Sequence, residues 1–183
     1  MRSWRIPILR HIEQDDLFKK YDFKQAWNEP PNSTLAERMP RTYSLHSEYK
    51  RGQGLTITNY LAIVGAQTVW RPGKPVNYKM IEDGTSNTIL LPENRGLNIH
   101  WMEPRDLDFE TMDWTINSPG GISSKYDAPA VVMLDGSVRR LSLQIAPEVL
   151  KALATIAGGE KLSDNNGEWK VIPDGRLRPV TEP

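Results

Sequence analysis

Cysteine is absent from this chain of 183 residues. That excludes disulfide bridges, thiolate zinc sites, iron–sulfur clusters and cysteine nucleophiles, although it does not fix the compartment. Net charge is absent as well, because 23 Lys and Arg are offset by 23 Asp and Glu. A chain with no excess charge and no basic run lacks the field that draws proteins onto nucleic acid or an anionic membrane. No apolar stretch approaches the roughly 20 residues of a membrane-crossing helix, and Met1 to Arg5 carries no secretory leader pattern. The expectation is a soluble chain. Histidine is scarce, and no pair among His11, His46 and His100 has the i, i+4 spacing of a helical metal site. The hydrophobic share of 38% allows one domain with a modest core and much irregular surface.

Turn chemistry is abundant. Two Asp-Gly pairs stand out, Asp83-Gly84 before Thr85-Ser86-Asn87-Thr88, and Asp135-Gly136 between Ala130–Leu134 and Ser137–Leu141. The second predicts a β-hairpin over 130–143 with a two-residue type I′ turn, because Asp and Gly tolerate positive φ. Strands are also expected at 58–64, at 88–91, over 99–102, and at an edge over 169–172. Residues 4–23 have helical patterning with a break near Asp15. A short helix should follow Pro30-Pro31, with Thr34 and Glu37 at capping-box spacing and Pro40 as its stop. The clearest helix spans 147–157, with proline at its start, a Val149, Leu150, Leu153, Ile156 stripe, and Gly158-Gly159 closing it. Residues 42–54 and 104–113 read as irregular.

Few residues suggest chemistry. Asp106, Asp108 and Glu110 alternate in an acidic stretch and offer oxygen ligands to calcium, without the glycine and distant glutamate of an EF-hand loop. A solvated acidic loop explains them better. Asp83 and Asp135 are accounted for by turn formation. Ser86 lacks the Gly-x-Ser-x-Gly setting of a nucleophile elbow, and Asn32-Ser33-Thr34 matches a glycosylation triplet that recurs by chance. Six tryptophans, Trp4, Trp27, Trp70, Trp101, Trp114 and Trp169, serve either as core anchors or as surfaces for sugar or protein.

Taken in order, several segments resemble a large planctomycete family of unknown function with a prepilin-type N-terminus. They are Ser3-Trp4-Arg5 with Ile8-Leu9 and Ile12-Glu13-Gln14, Phe23 to Asn32, Thr58-Asn59-Tyr60 with Val64-Gly65, Ile81 to Leu91, Trp101 to Leu107, Asp135 to Arg139, and Leu150 to Glu160. The resemblance implies the globular head of a pseudopilin-like protein at the periplasm or cell surface, with no established reaction. The chain departs from the family in three ways. Its leader and long apolar helix are absent from this sequence, Lys125 stands where the family has histidine before its Asp-Gly pair, and Tyr43-Ser44-Leu45-His46 replaces a Cys-Pro-Ser element.

The resulting expectation is an α+β fold, an antiparallel sheet with flanking helices, as one pseudopilin-head-like domain over 1–172 and a proline-rich tail over 173–183. The function it implies is a non-enzymatic structural or protein-interaction domain. It would bind a protein partner or a second copy through Ile8, Leu9 and Phe18, with Trp27, Trp70 and Trp101 as further contacts. The alternatives are a carbohydrate- or calcium-binding surface module and an accessory subunit of an enzyme. No cofactor is expected unless calcium binds.

Overall fold

Apolar runs in this chain are short and are broken by polar side chains that bond the backbone directly, so its regular elements are short. The computed structural model describes residues 2–45, 55–126 and 128–159, with the backbone of strands 161–165 and 168–172. Two α-helices are described, α1 (Asp15–Lys20) and α2 (Pro147–Ala154). The strands are β1 (Ile63–Val64), β2 (Ile89–Pro92), β3 (Leu107–Asp108), β4 (Ala130–Met133), β5 (Val138–Arg140), β6 (Lys161–Asn165) and β7 (Glu168–Ile172). The class is α+β, with an antiparallel sheet and few helices. No helix among the described residues is long and apolar enough to cross a membrane.

Contacts divide the chain into two units, Met1–Tyr60 with Leu97–Asp106, and Leu61–Gly96 with Leu107–Pro183. The reading of 1–172 as one domain drew no such boundary, because no long linker marks the three crossings. The tail over 173–183 and His46 lie outside the described residues.

In the first unit the expected helix over 4–23 is two pieces. A 3-10 turn, Pro7–His11, stops where Glu13 takes a left-handed φ of 59° and Gln14 N–H donates back to Leu9 O at 3.0 Å. Helix α1 then starts with Asp15 and Asp16 in its first turn and ends with Lys19 and Lys20, the order that complements the helix dipole. The helix after Pro31 is also a 3-10 element, Asn32–Arg38, and Thr34 Oγ1 donates to Pro31 O instead of capping. Ile6, Leu9, Leu17, Tyr21, Leu35 and Trp101 form the core of this unit.

In the second unit β2, β4 and β5 form an antiparallel sheet in that order, with Ile89 opposite Met133 and Val132 opposite Val138. The expected strand over 58–64 narrows to β1, which pairs in parallel with β3 inside the stretch expected to be irregular. Its first residues instead bond through side chains, as Thr58 Oγ1 donates to Tyr43 O at 2.9 Å. The strand expected over 99–102 is a single bridge, Ile57 to His100. The hairpin is present with a different turn. Gly136 alone in it has positive φ, 86°, and Met133 N–H bonds Ser137 O, which makes Leu134-Asp135-Gly136 a three-residue loop with a glycine bulge.

Helix α2 buries Val149, Leu150 and Leu153. Each such side chain contributes about 1.5–3 kcal/mol relative to exposure, which an eight-residue helix needs because it is too short to persist alone. It ends three residues before the expected position. Thr155 turns extended, and Ile156 leaves the axis to donate to Gln67 O and to accept from Glu82 N–H. Strand β7 pairs with β6, which sequence reading missed.

Candidate functional site

The two Asp-Gly pairs and the Gly158-Gly159 pair, remote in sequence, meet in the second unit. The Asp83 carboxylate accepts Gly158 N–H at 2.8 Å and Gly159 N–H at 3.3 Å, while Ile156 O accepts Glu82 N–H at 2.7 Å. From the other side Asp135 N–H donates to Thr85 O at 3.1 Å and Leu134 N–H to Thr88 O at 2.8 Å. The Asp135 carboxylate turns back on its own loop, accepting from Ser137 N–H and Ser137 Oγ. Those bonds hold its pKa below the usual carboxylate value. Thus Asp83 and Asp135 tie the chain after α2 and the β4–β5 hairpin to one segment, a junction that fixes the hairpin in place.

Among the described residues, no strand pairs with the outer edge of that hairpin. Strand β5 is outermost in the sheet. Ser137 O and Leu141 N–H bond inward to Met133 and Pro129, so the intervening alternation turns the backbone groups of Val138 and Arg140 outward. Val138 is 65% exposed, a large value for a valine in a strand, and Leu143 just beyond is also exposed. Arg140 donates to Ala128 O at 2.9 Å and lies 5.9 Å from the ring of exposed Tyr126.

The expected contact residues lie elsewhere. Leu9 and Trp101 have no exposed surface and belong to the core of the first unit, where Trp101 Nε1 donates to Ala36 O at 2.8 Å. Ile8, Phe18 and Trp27 pack half-buried against that core, Trp27 stacking on His100 at 4.8 Å. Leu9 and Trp101 are spent on the interior, which corrects their reading as contacts, while Ile8, Phe18 and Trp27 keep part of their surface outside it. Trp70 is half-buried and donates to Leu90 O at 2.8 Å, a strand contact. Trp114 packs edge-on against Phe109. The side chain of Trp169 lies outside the described residues.

The acidic trio is likewise dispersed. Asp106 accepts from the fully buried Arg5 at 2.6 Å and from Trp4 Nε1 at 3.1 Å. Arg5 also donates twice to Tyr60 O and once to Ser3 Oγ. Burial pushes its guanidinium below its ordinary pKa, and Asp106 pulls it back up. Asp108 belongs to the second unit and caps its own turn, accepting from Glu110 N–H, Thr111 N–H and Thr111 Oγ1. Glu110 is exposed. Among the described residues no three His, Asp or Glu side chains are grouped to hold a metal ion. Lys125 is exposed with its ammonium 5.4 Å from the Tyr126 ring.

The signal for the open edge was in the sequence: Ser137 to Leu141 alternates, but its outward valine is followed by Arg139-Arg140. No family model, curated protein or solved structure matches the chain.

Proposed function

We propose that the chain is a non-enzymatic structural or protein-interaction domain, resembling the soluble head of a pseudopilin-like surface protein, that receives an extended partner segment along β5. The observation that carries this reading is the outer edge of β5 with Val138 65% exposed. A partner strand there would gain main-chain hydrogen bonds from Val138 and Arg140 and apolar contact with Val138. Charge chooses the occupant. Pairing of β5 with its own copy would set the Arg139-Arg140 dipeptide against like charge, whereas an extended segment with acidic side chains would be matched. The motif junction supports the same reading. Two of the segments that carry the family resemblance most fully, 81–91 and 135–139, spend their polar groups on fixing the hairpin that bears this edge.

The test is affinity capture from native extract with the full chain and with Val138→Asp, folding of both being checked by circular dichroism. A discrete protein retained by the wild type and lost by V138D supports the proposal. The same protein on both chains, or none on the wild type, overturns it.

A further inference from the structure

A second feature of the second unit has no part in that edge. An open groove of about 330 Å³ is lined by Arg95, Gly96, Asn117, Pro119, Ser123 and Ser124. From this groove we infer a binding site for a small carboxylate ligand of monosaccharide size, for which a hexuronic acid is the type.

The floor of the groove is preformed. Buried Asn94 donates its side-chain amide to Pro119 O at 3.1 Å and to Gly121 O at 2.6 Å. Gly96 lies so close to Pro119 that a Cβ would overlap its backbone. Asn117 holds a left-handed φ of 62°, its side-chain oxygen accepting Ser124 N–H at 3.0 Å. Asparagine adopts this conformation readily, and the bond from Ser124 fixes the turn. A loop with this many internal bonds loses little freedom when a ligand arrives, which favours binding.

The chemistry of the lining selects the ligand. Arg95 is exposed, and among the described residues no carboxylate pairs with its guanidinium. Its main-chain N–H is already taken by Ser123 Oγ at 3.1 Å, which anchors the residue and leaves the side chain for a guest. The planar guanidinium fork matches a carboxylate with two parallel bonds. Ser124 Oγ accepts Tyr126 N–H at 3.3 Å and keeps its own proton to donate. One cation with a hydroxyl neighbour suits a singly charged ligand bearing hydroxyl groups. The volume lies at the small end of ligand sites, room for one sugar ring.

The test titrates the full chain by calorimetry with glucuronate, glucose and sulfate. The expected result is saturable glucuronate binding at least about tenfold tighter than glucose, which lacks the charged bidentate pair, and tighter than sulfate, which lacks the ring hydroxyls. Arg95→Gln should weaken it by about tenfold or more and Ser124→Ala by a few-fold. Absence of glucuronate binding, equal binding by R95Q, or sulfate binding as tightly as glucuronate would overturn the assignment. Failure here leaves the β5 edge untouched, since the two tests share no residue.

Discussion

The two units satisfy their buried backbone in different ways. In the first, which has no strand ladder among the described residues, side chains share the task with main-chain turns. The Asn32 amide accepts Asp22 N–H and donates to Asp22 O, Gln25 O and Ala26 O. Tyr43 Oη donates to Arg5 O at 2.6 Å, and Asn59 Oδ1 accepts Leu45 N–H at 2.8 Å. In the second, strands and main-chain turns do it, and side chains such as Asp83 tie finished elements together. Where particular polar side chains replace a ladder, each is a single point of failure, because removing one partner leaves a buried group unsatisfied. Where a ladder exists, an outer strand can be left open for a partner without loss of the fold.

This contrast is broken most sharply at Asp106. Asp106→Ala would strand the buried guanidinium of Arg5, and such uncompensated charges cost about 3–5 kcal/mol. Urea unfolding followed by tryptophan fluorescence should show that loss, and Asp106→Asn, which still accepts from Arg5 and Trp4, should lose less. A loss for D106A of the size of an ordinary surface substitution would mean that the first unit does not depend on this pair. The second unit should be most sensitive where main chains close on each other. A Cβ at Gly121 would collide with the Asp113 carbonyl oxygen, so Gly121→Ala should cost about 1–3 kcal/mol in the same assay. If it is neutral, the loop of residues 113–124 is looser than described.

The smallest effect is a pH dependence in the first unit. Burial holds the His100 imidazole below its ordinary pKa, with Glu103 opposing, and its Nδ1 accepts Met102 N–H at 3.2 Å, a role open only to the neutral ring. As pH falls, the unfolded chain takes up this proton first. The contribution is therefore complete above the ordinary histidine value of about 6.5 and lost as pH falls from there through the lowered folded value. His100→Gln should flatten the stability profile between about pH 7 and pH 5 relative to wild type. An unchanged profile would remove His100 as its cause.

Much of the second unit was legible. Alternation and Asp-Gly marked β4 and β5, and the proline start and apolar stripe marked α2. The turn type was misjudged because a type I turn followed by a glycine bulge uses the same dipeptide as a type I′ turn, and only the φ of Asp135 separates them. The Asn166-Gly167 pair between β6 and β7 was an available hairpin signal. The first unit was less legible for a physical reason. Its pairs, Arg5 with Asp106 and Asn32 with Asp22, obey no periodicity, so Asp106 read as a cation ligand when its partner lay 101 residues away. Leu9 and Trp101 read as contacts because apolar residues near turns look alike whether they face solvent or core. The Arg95 groove had no sequence signal, because its lining comes from two separate loops.

The most direct measurement is amide hydrogen exchange on the full chain, free and with its captured partner. Fast exchange is expected at Val138 and Arg140 in the free chain, with Arg139 and Leu141 already protected, and new protection at Val138 and Arg140 in the complex. Protection gained instead over residues 8–18, with Val138 and Arg140 unchanged, would contradict it.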